Sequence, residues 1–222
     1  MTPWDPDDVN DDIMDDDLDS QDYDEDVDDD LEDDFDDDLD FDDFDDESND
    51  DDTDDLDDAT EDDIDFLVAL YREDGESTGV PLDSQYANDF EGLIDHLQRI
   101  PGDAGAFGFV SIDSDVLLAV RVRGARHVQV FVSDAYYGDT WPLIRDAIDF
   151  LGLDIDDIPE DGPVGDLGMF ADQGFSEMDL EAMFIHDEPD SEDLAERIAE
   201  GMRFGKVYRS AVDQYWDSAE EY

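Results

Sequence analysis

Between Met1 and Asp65 the chain carries 39 acidic residues, nearly all of them Asp, and not one Lys or Arg. Neighbouring carboxylates repel one another, and Asp is a poor former of both helix and strand. With few apolar side chains to bury, residues 1–63 are expected to form a disordered acidic tail. The remaining 35 acids and all 10 bases fall in residues 66–222, a net of −25 within a total formal charge of −64. The folding part is therefore acidic too. Such a field repels phosphate backbones and anionic membrane surfaces, so no direct nucleic-acid binding and no membrane binding are expected. The favoured partner is a basic protein.

Apolar residues punctuate the acidic stretch at Leu18, Tyr23, Val27, Leu31, Phe35, Leu39, Phe41 and Phe44, and from Val27 to Leu39 they recur every four residues. That interval makes a slowly drifting stripe if the segment becomes helical. Alternation of acidic and hydrophobic residues is also a pattern of segments that fold against a partner. Leu31, Phe35, Leu39, Phe41 and Phe44 are thus candidate partner contacts. The alternative is that they are spacers in a solvated bristle.

The chain has no Cys, which excludes disulfides, thiolate nucleophiles and Cys-based zinc sites. Met1–Asp12 shows neither a basic n-region nor an apolar h-region. No run approaches the roughly 18 apolar residues of a membrane span. A cytoplasmic location is the expectation.

From Ile64 the texture changes. The run Ile64–Tyr71 predicts a strand, Gly75–Gly79 a turn-like stretch, and Tyr86–Ile100, with Phe90, Leu93, Ile94 and Leu97 at helical spacing, a helix ended by Pro101-Gly102. Phe107–Ile112, Val116–Val122 and Val128–Val132 predict a three-stranded meander. Ser133-Asp134 is a plausible cap region ahead of a helix over Trp141–Leu151, stopped by Gly152. The expected fold class is α+β: a small antiparallel-rich sheet with helices on one face, over residues 64–153. Residues 154–222 are expected to be an acidic Pro/Gly connector and a helical C-terminal region, either separate or packed with 64–153. Its helices fall at Leu167–Gly174, Ser176–Ile185, Ser191–Met202 and Lys206–Trp216. Ser176-Glu-Met-Asp and Ser191-Glu-Asp-Leu each approximate a capping box.

No catalytic constellation stands out, and no cofactor is implied. The only Lys, Lys206, lacks the glycines of a P-loop, and no G-x-S-x-G is present. His96, His127 and His186 fall in different elements, so structural roles are expected for them. The first Gly is Gly75, which excludes an EF-hand in the Asp-rich stretch. One local exception to the acid field is Arg121, Arg123 and Arg126. Arg121 and Arg123 share one strand face. They either pair with nearby acids across the sheet or form a dock for the tail or a ligand anion, which makes all three candidate contacts. A site assembled from scattered acids such as Asp134, Asp139 and Asp166 is the enzyme alternative.

Several blocks in this order carry a resemblance: Val130-Phe-Val-Ser-Asp-Ala135, Trp141-Pro-Leu-Ile, Leu151-Gly-Leu153, Pro163-Val-Gly-Asp-Leu-Gly-Met-Phe-Ala-Asp172, Met178-Asp-Leu-Glu-Ala182 and Arg203-Phe-Gly205. The chain resembles, over about residues 64–216, the actinobacterial tRNA adenosine deaminase-associated proteins, and the Pro163–Asp172 block is the most specific part. The resemblance implies association with a tRNA-specific adenosine deaminase, the wobble-inosine enzyme. It implies no activity of the chain's own and transfers no catalytic residues. The Asp-rich N-terminal stretch departs from the family pattern. A deaminase needs H-x-E and P-C-x-x-C to hold zinc and move protons; His186-Asp-Glu188 alone matches the first, and the second is absent. The expectation is a non-catalytic accessory protein that binds a basic partner. The alternatives are a general nucleic-acid mimic of histone-chaperone type, or a domain of unknown role with a solubilising tail.

Overall fold

The computed structural model describes residues 56–124, 127–154, 162–185 and 189–219. Within them β1 (Ile64–Glu73), β2 (Glu76–Pro81), β3 (Ala106–Ile112), β4 (Val116–Arg123), β5 (His127–Val132) and a two-residue β6 (Val164–Gly165) form one antiparallel sheet, ordered β2-β1-β3-β4-β5-β6. The α+β class expected from the sequence is the one observed. Every residue of β3, and all but the last of β4, is buried, so these central strands read as continuous apolar runs rather than alternating ones.

The turn-like stretch expected at Gly75–Gly79 is a correction. Reversal is confined to Asp74 and Gly75, with φ of 53° and 80°, and Glu73 already pairs with Glu76 across the hairpin. Two residues at positive φ match the twist of the flanking strands, for which Asp-Gly is a favoured pair. Order also begins before Ile64. Ala59 is buried, because the Asn88 side chain accepts from its N–H at 2.8 Å and donates to its carbonyl at 2.9 Å. The part of the expected tail up to residue 55 lies outside the described residues.

The two helices of residues 64–153 share one face of the sheet, as expected, and the helices of the C-terminal region cover the other. On the first face lie α1 (Phe90–Gln98) and α2 (Pro142–Phe150). Gly108 of β3 has no side chain, and Leu93 and Leu97 of α1 occupy the space a Cβ would need. On the opposite face lie the 3-10 segment Leu167–Gln173, the short α3 (Glu177–Glu181), α4 (Ser191–Gly201) and α5 (Gly205–Ala219). Phe66 of β1 and Phe109 of β3 meet Tyr208 of α5 at ring-centroid distances of 5.6 and 6.4 Å. The Trp216 indole N–H donates to the Asp65 carbonyl at 2.6 Å, latching the end of α5 to β1. Residues of the C-terminal region thus belong to the same core as the strands. Each large apolar side chain buried there contributes roughly 1.5–3 kcal/mol. Ser176 forms the capping box with Asp179. Ser191 does not cap α4: Asp190 does, while the Ser191 hydroxyl meets that of Ser111 at 2.7 Å in the core.

Candidate functional site

The most specific block of the sequence is a clasp on the C-terminal face. Val164 and Gly165 pair with Val132 and Phe131. Asp166 then fastens both backbone groups of Val130, its N–H donating to the Val130 carbonyl at 2.7 Å and its carboxylate accepting from the Val130 N–H at 3.1 Å. Phe170 drops into the core among Phe107, Phe109 and Phe131, at centroid distances of 6.0–6.2 Å. Asp172 closes the clasp with both oxygens 2.7 Å from Arg121.

Arg121 is 2% exposed. Its five N–H groups go to Asp172, the Met169 carbonyl at 2.6 Å and the Ala104 carbonyl at 2.9 and 3.3 Å, and its guanidinium lies 4.6 Å from the Phe107 ring centroid. No donor remains for a partner, so Arg121 serves inside the fold rather than on its surface. The acid it meets comes from the clasp rather than from a neighbouring strand. Bonding to Arg121 holds the Asp172 carboxyl below its usual range. Arg123 is half-buried, with Nη2 against His127 Nε2 at 2.6 Å and Gln129 at 3.3 Å. Arg126, His186 and the contacts Leu31, Phe35, Leu39, Phe41 and Phe44 lie outside the described residues.

The scattered acids do not converge. Asp134 accepts from the Tyr136 and Gly162 N–H groups, Asp139 pairs with Arg145 at 2.7 Å, and Asp166 is spent in the clasp. Among the described residues no three His, Asp or Glu side chains come close enough to hold a metal ion.

A different site emerges where α1 and α2 lie side by side on the other face. Their buried stripes, Phe90, Leu93 and Leu97 on α1 and Leu143, Ile144, Ala147 and Ile148 on α2, face inward. The outer flanks leave a cleft of about 710 Å³ with Phe90, Ile94 and Phe150 as its apolar floor and Asp89, Glu91, Asp95, Asp146 and Asp149 around it. Phe150 is half exposed and packs edge-on against Phe90, 5.5 Å between centroids. Partial burial and the charges of Asp149, Glu91 and Asp89 push the Asp146 carboxyl above its usual range. No Ser, His or Lys lines the cleft, so Asp146 has no nucleophile to activate. An apolar floor ringed by carboxylates suits an aliphatic or aromatic side chain flanked by Lys or Arg. Sequence reading missed this cleft. The signal available was Asp146, Asp149 and Phe150 at helical spacing beside the apolar stripe.

A family model described as Rv3753c-like tRNA adenosine deaminase-associated protein matches residues 65–205. The chain belongs to that family. No curated protein and no solved structure matches it. The matched span of this deaminase-associated family member runs from β1 to the first residue of α5 and includes both the clasp and the α1–α2 cleft. The family's description is of a protein associated with a deaminase, not of the deaminase itself. Among the described residues no helix is long and apolar enough to cross a membrane.

Proposed function

We propose that this chain is a non-catalytic accessory protein that binds a tRNA-specific adenosine deaminase through a basic surface of that enzyme and modulates deamination of the wobble adenosine. Family membership carries the choice of partner. The charge of −64 supports the mode of binding: a polyanion competes with tRNA for cationic surface, and the competition weakens with salt. The α1–α2 cleft is the seat we assign to a basic, partly apolar segment of the partner. Neighbouring carboxylates that repel one another in the free protein gain a counter-charge there.

The test is titration of the full chain against the deaminase at low and high salt, with and without tRNA. Binding is expected to weaken with salt and to be competed by tRNA. The double variant Asp146→Asn, Asp149→Asn is expected to bind roughly tenfold more weakly while its thermal stability holds or rises, because it removes carboxylates that repel one another. Phe150→Ala should weaken binding similarly. No complex, or one indifferent to salt and to all three substitutions, sinks the proposal. The same charge also supports a general nucleic-acid mimic, for which equal affinity for several unrelated cationic proteins is the discriminating result.

A further inference from the structure

Acids outnumber bases 74 to 10 in this chain, yet two arginines that line one pocket have no carboxylate within 4.0 Å among the described residues. The first is Arg72, near the end of β1. Its guanidinium is held by neutral acceptors only: Ser77 Oγ at 3.3 Å from both Nε and Nη2, Gln173 Oε1 at 3.0 Å, and the Met202 carbonyl at 3.4 Å. It also rests 4.8 Å from the Phe204 ring centroid. Because Ser77 Oγ accepts from the arginine, its own proton is left to donate.

The second is Arg203. Helix α4 closes with the Arg203 N–H donating to the Glu200 carbonyl at 2.9 Å and the Phe204 N–H to the Ala199 carbonyl at 2.7 Å. This two-bond closure ordinarily puts Gly at the position Arg203 occupies, with φ of 65°. A side chain there strains the backbone, and strain at such a position points toward a use for that side chain. Arg203 is exposed and makes no side-chain hydrogen bond or ion pair among the described residues, whereas Glu196 and Glu200 of α4 both go to Arg209. Asp172 lies in the wall of the same pocket, but its charge is met by Arg121. The pocket, about 660 Å³ and open to solvent, therefore holds two guanidinium groups without a carboxylate partner among the described residues of an otherwise acidic molecule, a further acid, Asp103, accepting from the Gly75 N–H at its edge.

We infer that this corner between β1, the clasp and α4 is a binding site for a small phosphate-bearing anion. Arg203 supplies an open guanidinium fork, Arg72 a fixed charge and Ser77 a hydroxyl donor, the donor set that matches phosphate oxygens. The overall charge of −64 disfavours a nucleic-acid backbone as the source of the phosphate and leaves a small phosphoanion.

The experiment is thermal unfolding of the full chain in sodium phosphate against sodium chloride at matched ionic strength, with a short single-stranded RNA at equal phosphate concentration as a third arm. Phosphate also stabilises proteins by exclusion from their surface, so wild type is compared with Arg203→Gly and Ser77→Ala. Arg203→Gly relieves the strained backbone and is expected to raise Tm in chloride by roughly 2–4 °C. The saturable rise in Tm that phosphate gives wild type should be absent from it and reduced in Ser77→Ala. Equal phosphate responses in wild type and Arg203→Gly overturn the site. A fall in Tm for Arg203→Gly in chloride overturns the claim that the side chain is held there for a ligand. A response through Arg203 to RNA but not to phosphate overturns the small-anion assignment.

Discussion

Arg121 and Asp172 show how one pair ties a conspicuous residue to an inconspicuous one. A basic residue on a strand of an acidic chain draws the eye, but its fate is set by an acid 51 positions away. Asp172→Asn keeps the shape and removes the charge, leaving a buried guanidinium under-satisfied. At neutral pH it is expected to cost about 1–3 kcal/mol, below the range for a fully enclosed pair because Asp172 is itself about half exposed. The pH dependence has a definite sign. A carboxyl whose folded pKa lies below its unfolded value stabilises the fold above the unfolded value, about 3.9. It loses that contribution as pH falls through the folded value. The stability gap between wild type and Asp172→Asn should therefore be flat near neutrality and close under acid, as read by denaturant titration at a series of pH values.

At the scale of elements, the central strands were legible because β-branched and aromatic runs of the right length leave few alternatives. The main helices announced themselves by their apolar stripes. Three things escaped. β2 carries Gly79 and Pro81 and no long apolar run, and it exists because the Asp74-Gly75 turn aims it back along β1. β6 is two residues long, set by Gly165, whose φ of 98° and close approach to the Val130 carbonyl leave no room for a Cβ. The second helical layer was visible as helices but not as a layer, because the residues it covers, Phe66, Phe107 and Phe109, gave no sign of which face they occupy. The cleft escaped for a related reason, since its walls come from helices with a meander between them. The clasp supplies its own test. Phe170→Ala removes a ring that touches Phe107, Phe109 and Phe131. It is expected to cost about 3–5 kcal/mol and to speed amide exchange over residues 163–173 before the rest of the sheet.

For the whole molecule, charge governs behaviour in solution more than any single contact. Residues 66–222 alone carry −25, and few of these charges are paired among the described residues, so self-repulsion opposes the compact state. Added sodium chloride screens it. Tm is expected to climb between about 10 and 300 mM salt, where a molecule held by surface ion pairs would lose stability; calorimetry across that range decides between the two. Association with a cationic partner should show the opposite trend, so one titrant separates folding from binding.

The latch between Trp216 and Asp65 has a consequence in time. The two residues are 151 positions apart, and at ribosomal rates of about 5–20 residues per second β1 precedes its cover by roughly 8–30 s. Throughout that interval Phe66, Val68 and Leu70 have strand partners to find but no α5 to lie beneath. The acidic run is made just before them, and like charges on neighbouring copies keep those uncovered faces apart until the last helix arrives.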